Sequence, residues 1–174
     1  MNYAEIKTTD IANGEGVRVS LFVSGCTHRC KNCFNSVAWD FDYGKPFTEE
    51  TQQFLLDSLA PDYIAGLSLL GGEPMEPENQ KALLPFVESF KKQFPKKTVW
   101  CYTGYTLQEN GTFQEERANC ASTSKLLSLI DVLVDGRFVE ELKDIRLRFR
   151  GSSNQRLIDI KRTFEQGSIV LYLT

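Results

Sequence analysis

The chain has 174 residues, 41% of them hydrophobic and 25% charged, with a formal net charge of −3 and five cysteines. This is the composition of one soluble domain, residues 1–174, able to bury a core without staples, and its acidity argues against a nucleic-acid partner, which needs a basic surface to displace counterions. No apolar run approaches the roughly 20 residues that span a bilayer and residues 1–7 lack a signal-peptide layout, so we expect a cytoplasmic protein with no membrane partner and with reduced thiols.

Strands and helices alternate along the chain, which favours α/β with a parallel sheet. Residues 18–23 (RVSLFV) are β-rich and end at Ser24-Gly25. Thr48 is a predicted N-cap, with Glu49 and Glu50 in the first turn of a helix that runs to about Leu59 before Pro61. A short apolar strand over 66–70 leads into Gly71-Gly72-Glu73-Pro74. Pro77 is placed to start a helix, and Leu83, Phe86, Val87, Phe90 and Phe94 follow at helical spacing. Pro85 falls inside that pattern, so a kink or a later start is expected.

A strand over 98–102 (TVWCY) ends at Thr103-Gly104, a helix is predicted over 122–130, and a strand over 132–134 ends at Asp135-Gly136. The tail over 168–173 alternates weakly, as a last strand would. Each strand thus ends in small or polar groups, and parallel α/β sheets bind ligands at those ends. A closed eightfold barrel takes roughly 250 residues, so the expectation is a partial, open (β/α) barrel.

Cys26, Cys30 and Cys33 stand at C-x3-C-x2-C spacing in the loop after the first of these strands. Such a loop can wrap one iron–sulfur cluster, and three thiolates would leave one iron of a cubane open to a ligand. A structural zinc site would need a fourth ligand. His28 follows Cys26 too closely for a tetrahedral site, and Cys101 and Cys120 have no paired neighbour. The spacing favours iron–sulfur over zinc. His28 reads as a loop residue near the cluster and Cys101 as core, while Cys120 has no assigned role.

The C-x3-C-x2-C loop resembles that of the radical S-adenosylmethionine (SAM) superfamily, and Gly71-Gly72-Glu73-Pro74 resembles the superfamily's second motif. The resemblance implies a radical SAM-type barrel. It implies a [4Fe–4S] cluster on Cys26, Cys30 and Cys33, with the open iron chelated by the amino and carboxylate groups of SAM. Reductive cleavage of SAM would then yield methionine and a 5′-deoxyadenosyl radical. Gly71, Gly72 and Glu73 would hold the methionine amino group. Many members carry an aromatic residue just before the third cysteine; here that position is Asn32, and Phe34 follows instead. Adenosine-side contact is therefore assigned to Asn32, Cys33 and Phe34 as a group.

Residues 10–18 together with residues 21–26 are similar to the glycyl-radical-enzyme activases. The Asn35…Trp39 run, residues 44–48, Tyr102-Thr103-Gly104-Tyr105, residues 134–138 and residues 150–156 are similar to the activating proteins of anaerobic ribonucleoside-triphosphate reductases. That family places a radical on a glycine of the reductase, its partner, and takes its electron from a flavodoxin-like donor. No second cysteine set intervenes between Cys33 and Cys101, as it often does in activases of other partners. Residues 157–174 form an extension beyond the matched stretch.

Arg146, Arg148, Arg150 and Arg156 cluster around Gly151-Ser152-Ser153-Asn154. They read either as contacts to the reductase or to the cofactor carboxylate, or as a solvated charged edge. Asp135 either lines the active mouth or makes a turn before Gly136. Two other functions compete with the activase: a minimal radical SAM enzyme of a small molecule, such as a deazapurine synthase, and a non-enzymatic iron–sulfur or zinc module.

Overall fold

The computed structural model describes residues 1–173. The chain runs β1 (Asn2–Asp10), β2 (Val17–Val23), β3 (Lys45–Pro46), α1 (Glu49–Leu59), β4 (Ile64–Gly71), α2 (Pro77–Gln93), β5 (Thr98–Tyr102), α3 (Thr123–Leu129), β6 (Val132–Asp135), β7 (Arg156–Asp159), α4 (Ile160–Gln166) and β8 (Leu171–Leu173). The strands form one open sheet of eight in the order β3-β1-β2-β4-β5-β6-β7-β8. Its centre, β2-β4-β5-β6, is parallel. Both flanks are antiparallel, so the sheet is mixed where the sequence suggested a parallel one.

Strand side chains alternate between two faces. Val19, Leu21, Leu67, Leu69, Val99, Cys101 and Leu133 share a core with Leu55 and Leu59 of α1, Leu83, Phe86, Val87 and Phe90 of α2, Leu126 of α3 and Ile160 of α4. The alternate residues Trp100, Val132, Val134 and Leu157 form a smaller cluster with Tyr102, Phe149 and Leu173. Tyr172 of β8 stacks edge-on against Trp100, and its hydroxyl donates to Glu15 in the β1–β2 connection at 2.7 Å. The sheet is therefore curved enough for its last strand to touch the loop before β2. Among the described residues, no helix is long and apolar enough to cross a membrane.

Thr48 caps α1 as its sequence predicts, accepting from the N–H of Thr51. Helix α2 begins at Pro77 and runs on through Pro85, so of the kink or later start that the sequence suggested, the later start does not occur. Pro85 lies on the exposed side, where water can take the place of the bond that proline denies to the carbonyl four residues back.

Arg18 is buried on the second face and ties β2 to β4 and β5. Its Nε donates to Ser68 Oγ at 2.8 Å, and Nη2 donates to the carbonyls of Leu67 and Thr98, both at 2.9 Å. Nη1 donates to Thr98 Oγ1 and to the Glu15 carbonyl. All five bonds go to neutral groups, and burial pulls the guanidinium down to about 10, still charged at neutral pH. Arg18→Leu would remove the bonds to three carbonyls and two hydroxyls, and we expect a loss of about 3 kcal/mol. For a domain of this size that is a fall of roughly 6–12 °C in Tm. A melting curve of the variant within about 2 °C of wild type would show that these bonds hold little.

Candidate functional site

A cavity of about 510 Å³ opens at the carboxyl ends of the parallel strands. Cys26, Cys30, Cys33, Asn32, Phe34, Gly71, Gly72 and Glu73 all line it. The two motifs meet because the β2–β4 pairing continues past the strand ends. The N–H of Gly72 donates to Val23 O at 2.7 Å, and that of Glu73 to Gly25 O at 2.8 Å. Gly71 has φ +112°, and a Cβ there would fall 2.5 Å from Val23 N; one on Gly72 would fall 2.7 Å from Gly25 O. These glycines are needed for the chain's close approach to itself, and not only for an approach to a ligand.

The cysteine loop has no regular structure of its own. Arg29 and Asn32 both lie at positive φ, and the N–H of Cys33 closes a turn on Cys30 O. Two buried carboxylates hold the loop from behind. Glu73 Oε2 lies 2.7 Å from His28 Nε2 and accepts the Gly104 N–H at 2.7 Å, while its Oε1 accepts the Met75 N–H. Glu76 Oε1 accepts both the N–H and the hydroxyl of Thr27, at 2.9 and 2.6 Å, and the Tyr105 hydroxyl at 3.2 Å. Its Oε2 takes Arg117 Nε and Nη2 at 3.2 and 3.1 Å. The His28 ring packs on Tyr105 with centroids 4.4 Å apart, and Arg137 donates to the His28 carbonyl.

Burial raises the Glu76 carboxyl, but the bonds from Thr27 and Arg117 outweigh it and hold the group below the ordinary carboxylate value. The stability it contributes is therefore present above that ordinary value and is lost only as pH falls through the lower folded one. At neutral pH the anchor is intact. Burial pushes the Cys26 thiol up to about 12, although the N–H groups of His28 and Arg29 point at it. A metal has to displace that proton to bind.

The donor set fits an iron–sulfur cluster better than zinc. Three thiols face one cavity, and amide N–H groups aim at one of them, as around cluster sulfurs. Neither remaining cysteine can be a fourth ligand. Cys101 is sealed in the helix-side core, and Cys120 Sγ lies against Gln80 Oε1 at 3.4 Å. His28 is turned to Glu73. Among the described residues, no three His, Cys, Asp or Glu side chains stand close enough to hold one metal ion. The three thiols thus face the cavity as separate groups.

Other sequence candidates turn out to be scaffold. Asp135 is buried at the end of β6, accepts from the Leu107 N–H and from Arg156 Nε and does not line the cavity, so it neither lines the mouth nor makes a turn but joins two strands, with Arg156 as its partner. Gln155 accepts the N–H groups of Gly151 and Ser152 and donates to Gly136 O, which folds residues 150–156 onto the end of β6. Two residues gain importance only in the structure. Glu76 had one sequence signal, a second carboxylate three residues after Glu73. Tyr102 lines the cavity, yet its hydroxyl is the one buried side-chain polar atom without a hydrogen-bond partner among the described residues.

A model of the 4Fe-4S single cluster domain family matches residues 12–158. The chain is 44% identical over 157 residues to the anaerobic ribonucleoside-triphosphate reductase-activating protein of Haemophilus influenzae, covering 89% of this chain and 96% of that one. It is 41% identical to the protein of the same name in Escherichia coli K12, with the same coverage. The like-named protein of Enterobacteria phage T4 is 38% identical over 90% of this chain and 93% of its own.

Glu76→Ala would release Thr27 and with it the root of the cysteine loop. Each charge-assisted bond contributes about 1.5–3 kcal/mol, so losing the effect of even one predicts iron release to a chelator roughly tenfold faster. Retention of iron at the wild-type rate in a chelator challenge would mean that the loop does not depend on this carboxylate.

Proposed function

We infer the function from membership: the chain belongs to the anaerobic ribonucleoside-triphosphate reductase-activating proteins, within the 4Fe-4S single cluster domain family. It is an iron–sulfur activase, an enzyme whose target is that reductase. The observation that carries the finer reading is that three thiols, with no fourth, line one open cavity at the strand ends. When bound, a reduced [4Fe–4S] cluster supplies one electron to cleave SAM into methionine and a 5′-deoxyadenosyl radical, which takes a hydrogen atom from a glycine of the reductase.

In this reading Cys26, Cys30 and Cys33 each ligate one iron, and the curved open sheet serves as the partial barrel of the radical SAM type. Glu73 already accepts two N–H groups and faces His28. A carboxylate has about four acceptor positions, so one remains for the methionine ammonium. Gly71 and Gly72 bring the backbone to the same place. Asn32, Cys33 and Phe34 form the adenosine side. The unpartnered Tyr102 hydroxyl supports a polar ligand in this cavity, because a buried hydroxyl left alone costs about 1–3 kcal/mol. We assign its bond to SAM. The electron donor is flavodoxin-like and the setting cytoplasmic.

The test is anaerobic reconstitution with iron and sulfide, reduction, and addition of SAM with and without the reductase. We expect 5′-deoxyadenosine, and a glycyl electron-resonance signal only when the reductase is present. Replacing Cys26, Cys30 or Cys33 by Ala should abolish both. Tyr102→Phe should weaken SAM binding roughly fivefold to tenfold with the cluster absorption unchanged. An intact, reducible cluster without SAM cleavage would overturn the reading, and cleavage without any glycyl signal would move it to a small-molecule substrate.

A further inference from the structure

A glycine has no side chain to recognise. If the reacting residue is a glycine of the reductase, as proposed above, the affinity for that segment must come from what flanks it. The rim of the cavity carries groups suited to this. Phe34 and Ile145 both line the cavity, yet they are 88% and 92% exposed, and Ile11, next to the lining residue Ala12, is 75% exposed. Apolar side chains this open are unremarkable singly, but three around one mouth mark an interaction surface.

Charge adds direction. Residues 26–34 hold Arg29 and Lys31 and no acid, and residues 137–150 hold five basic residues against three acids. With Glu15 of the loop that carries Ile11 counted as well, seven basic residues stand against four acids, so the rim is net positive on a chain whose net charge is −3. Arg146 and Arg148 are 88% and 67% exposed. Arg146 is held by Asp144 at 2.9 Å, and Arg148 reaches Glu15 only at 3.9 Å. Neither lines the cavity, which sets them outside the SAM site and on its approach. The segment that carries them, residues 143–150, is pinned at its base. Lys143 bridges to Ser152, and the Asp144 N–H donates to Gly151 O at 3.2 Å. Its apolar tip, Ile145, is left standing in solvent.

We propose that Phe34, Ile145, Arg146 and Arg148 form the docking rim for an extended segment of the reductase, apolar where it crosses Phe34 and Ile145 and acidic where it meets the two arginines. The occupant follows from the position of the rim around the cysteine cavity and from the reductase for which the relatives are named; the acidic character of the segment is what the two arginines call for. The inference rests on the function proposed above for the identity of the partner.

The test uses Ile145→Asp and the double variant Arg146→Glu/Arg148→Glu, each with a reconstituted cluster. Reductase binding, measured without SAM, should weaken roughly tenfold in each. Glycyl-radical formation should fall in parallel in each, while in the double variant, whose two arginines do not line the cavity, SAM cleavage in the absence of reductase stays at the wild-type rate. Added salt should weaken wild-type binding more than that of the double variant. Wild-type binding by both variants would overturn the proposal, and so would an equal loss of reductase-free SAM cleavage in the double variant. If binding falls as expected but the wild type cleaves no SAM, the docking rim stands and the radical reading falls.

Discussion

Everything at the site depends on two buried carboxylates three residues apart. Glu73 and Glu76 leave the end of β4 and reach back under the cysteine loop, one toward His28 and the other to Thr27. Neither His28 nor Thr27 is a cluster ligand in our reading, yet each sits beside or between the cysteines. The loop has almost no internal hydrogen bonding to give it shape, so its conformation is dictated from outside. A buried charge is tolerated only when it is paired or hydrogen-bonded. Here the partners are the groups that must be fixed, so the cost of burial and the placement of the loop are one arrangement.

The same logic orders the two faces of the sheet. Alternation gives β4 and β5 one set of side chains for the helices and another for the concave side. The helix side is filled with aliphatic and aromatic groups and has no room for chemistry. The concave side holds Arg18 with all its donors satisfied at the amino ends of the strands, and the cavity at their carboxyl ends. Arg18 thus plugs one end of the groove with a fixed polar network, and the other end stays open. Tyr172 strengthens that division by reaching Glu15 from the last strand.

The sequence made the centre legible and the flanks obscure. Residues 98–102 and 132–134 read as strands because they are short apolar runs bounded by turn residues, and both are strands in the structure. The C-x3-C-x2-C loop and Gly71-Gly72-Glu73 could be brought together on paper because each follows such a run. β1 escaped notice because its register shifts twice against β2, which blurs the period-two pattern that marks a half-buried strand. β7 is only four residues long and starts inside the polar 150–156 motif. For Glu76 the spacing offered only a second carboxylate three residues after Glu73, which does not say what it binds. Its role comes from where α2 begins relative to the loop after β2, a tertiary fact. Nor could Asp135 be sorted into mouth or scaffold without seeing that Arg156 lies opposite it on β7.

Backbone strain marks the same region independently. Among the described residues, the non-glycine positions at positive φ are Arg29, Asn32 and Phe149. Asn tolerates this conformation, but Arg and Phe do not gain from it, and each such residue costs on the order of 1 kcal/mol or more. Arg29 and Asn32 each immediately precede a cysteine. Phe149 stands in the segment that faces them across the cavity, packed edge-on against Trp100. Strain persists only where surrounding contacts over-determine it, and here those contacts are the Glu73 and Glu76 anchors on one side and the core on the other. A loop free to relax would shed the strain and turn its thiols elsewhere. The molecule holds its least comfortable backbone at the two walls of one cavity, which is where a cluster and its substrate need fixed geometry and where the rest of the fold has no use for it.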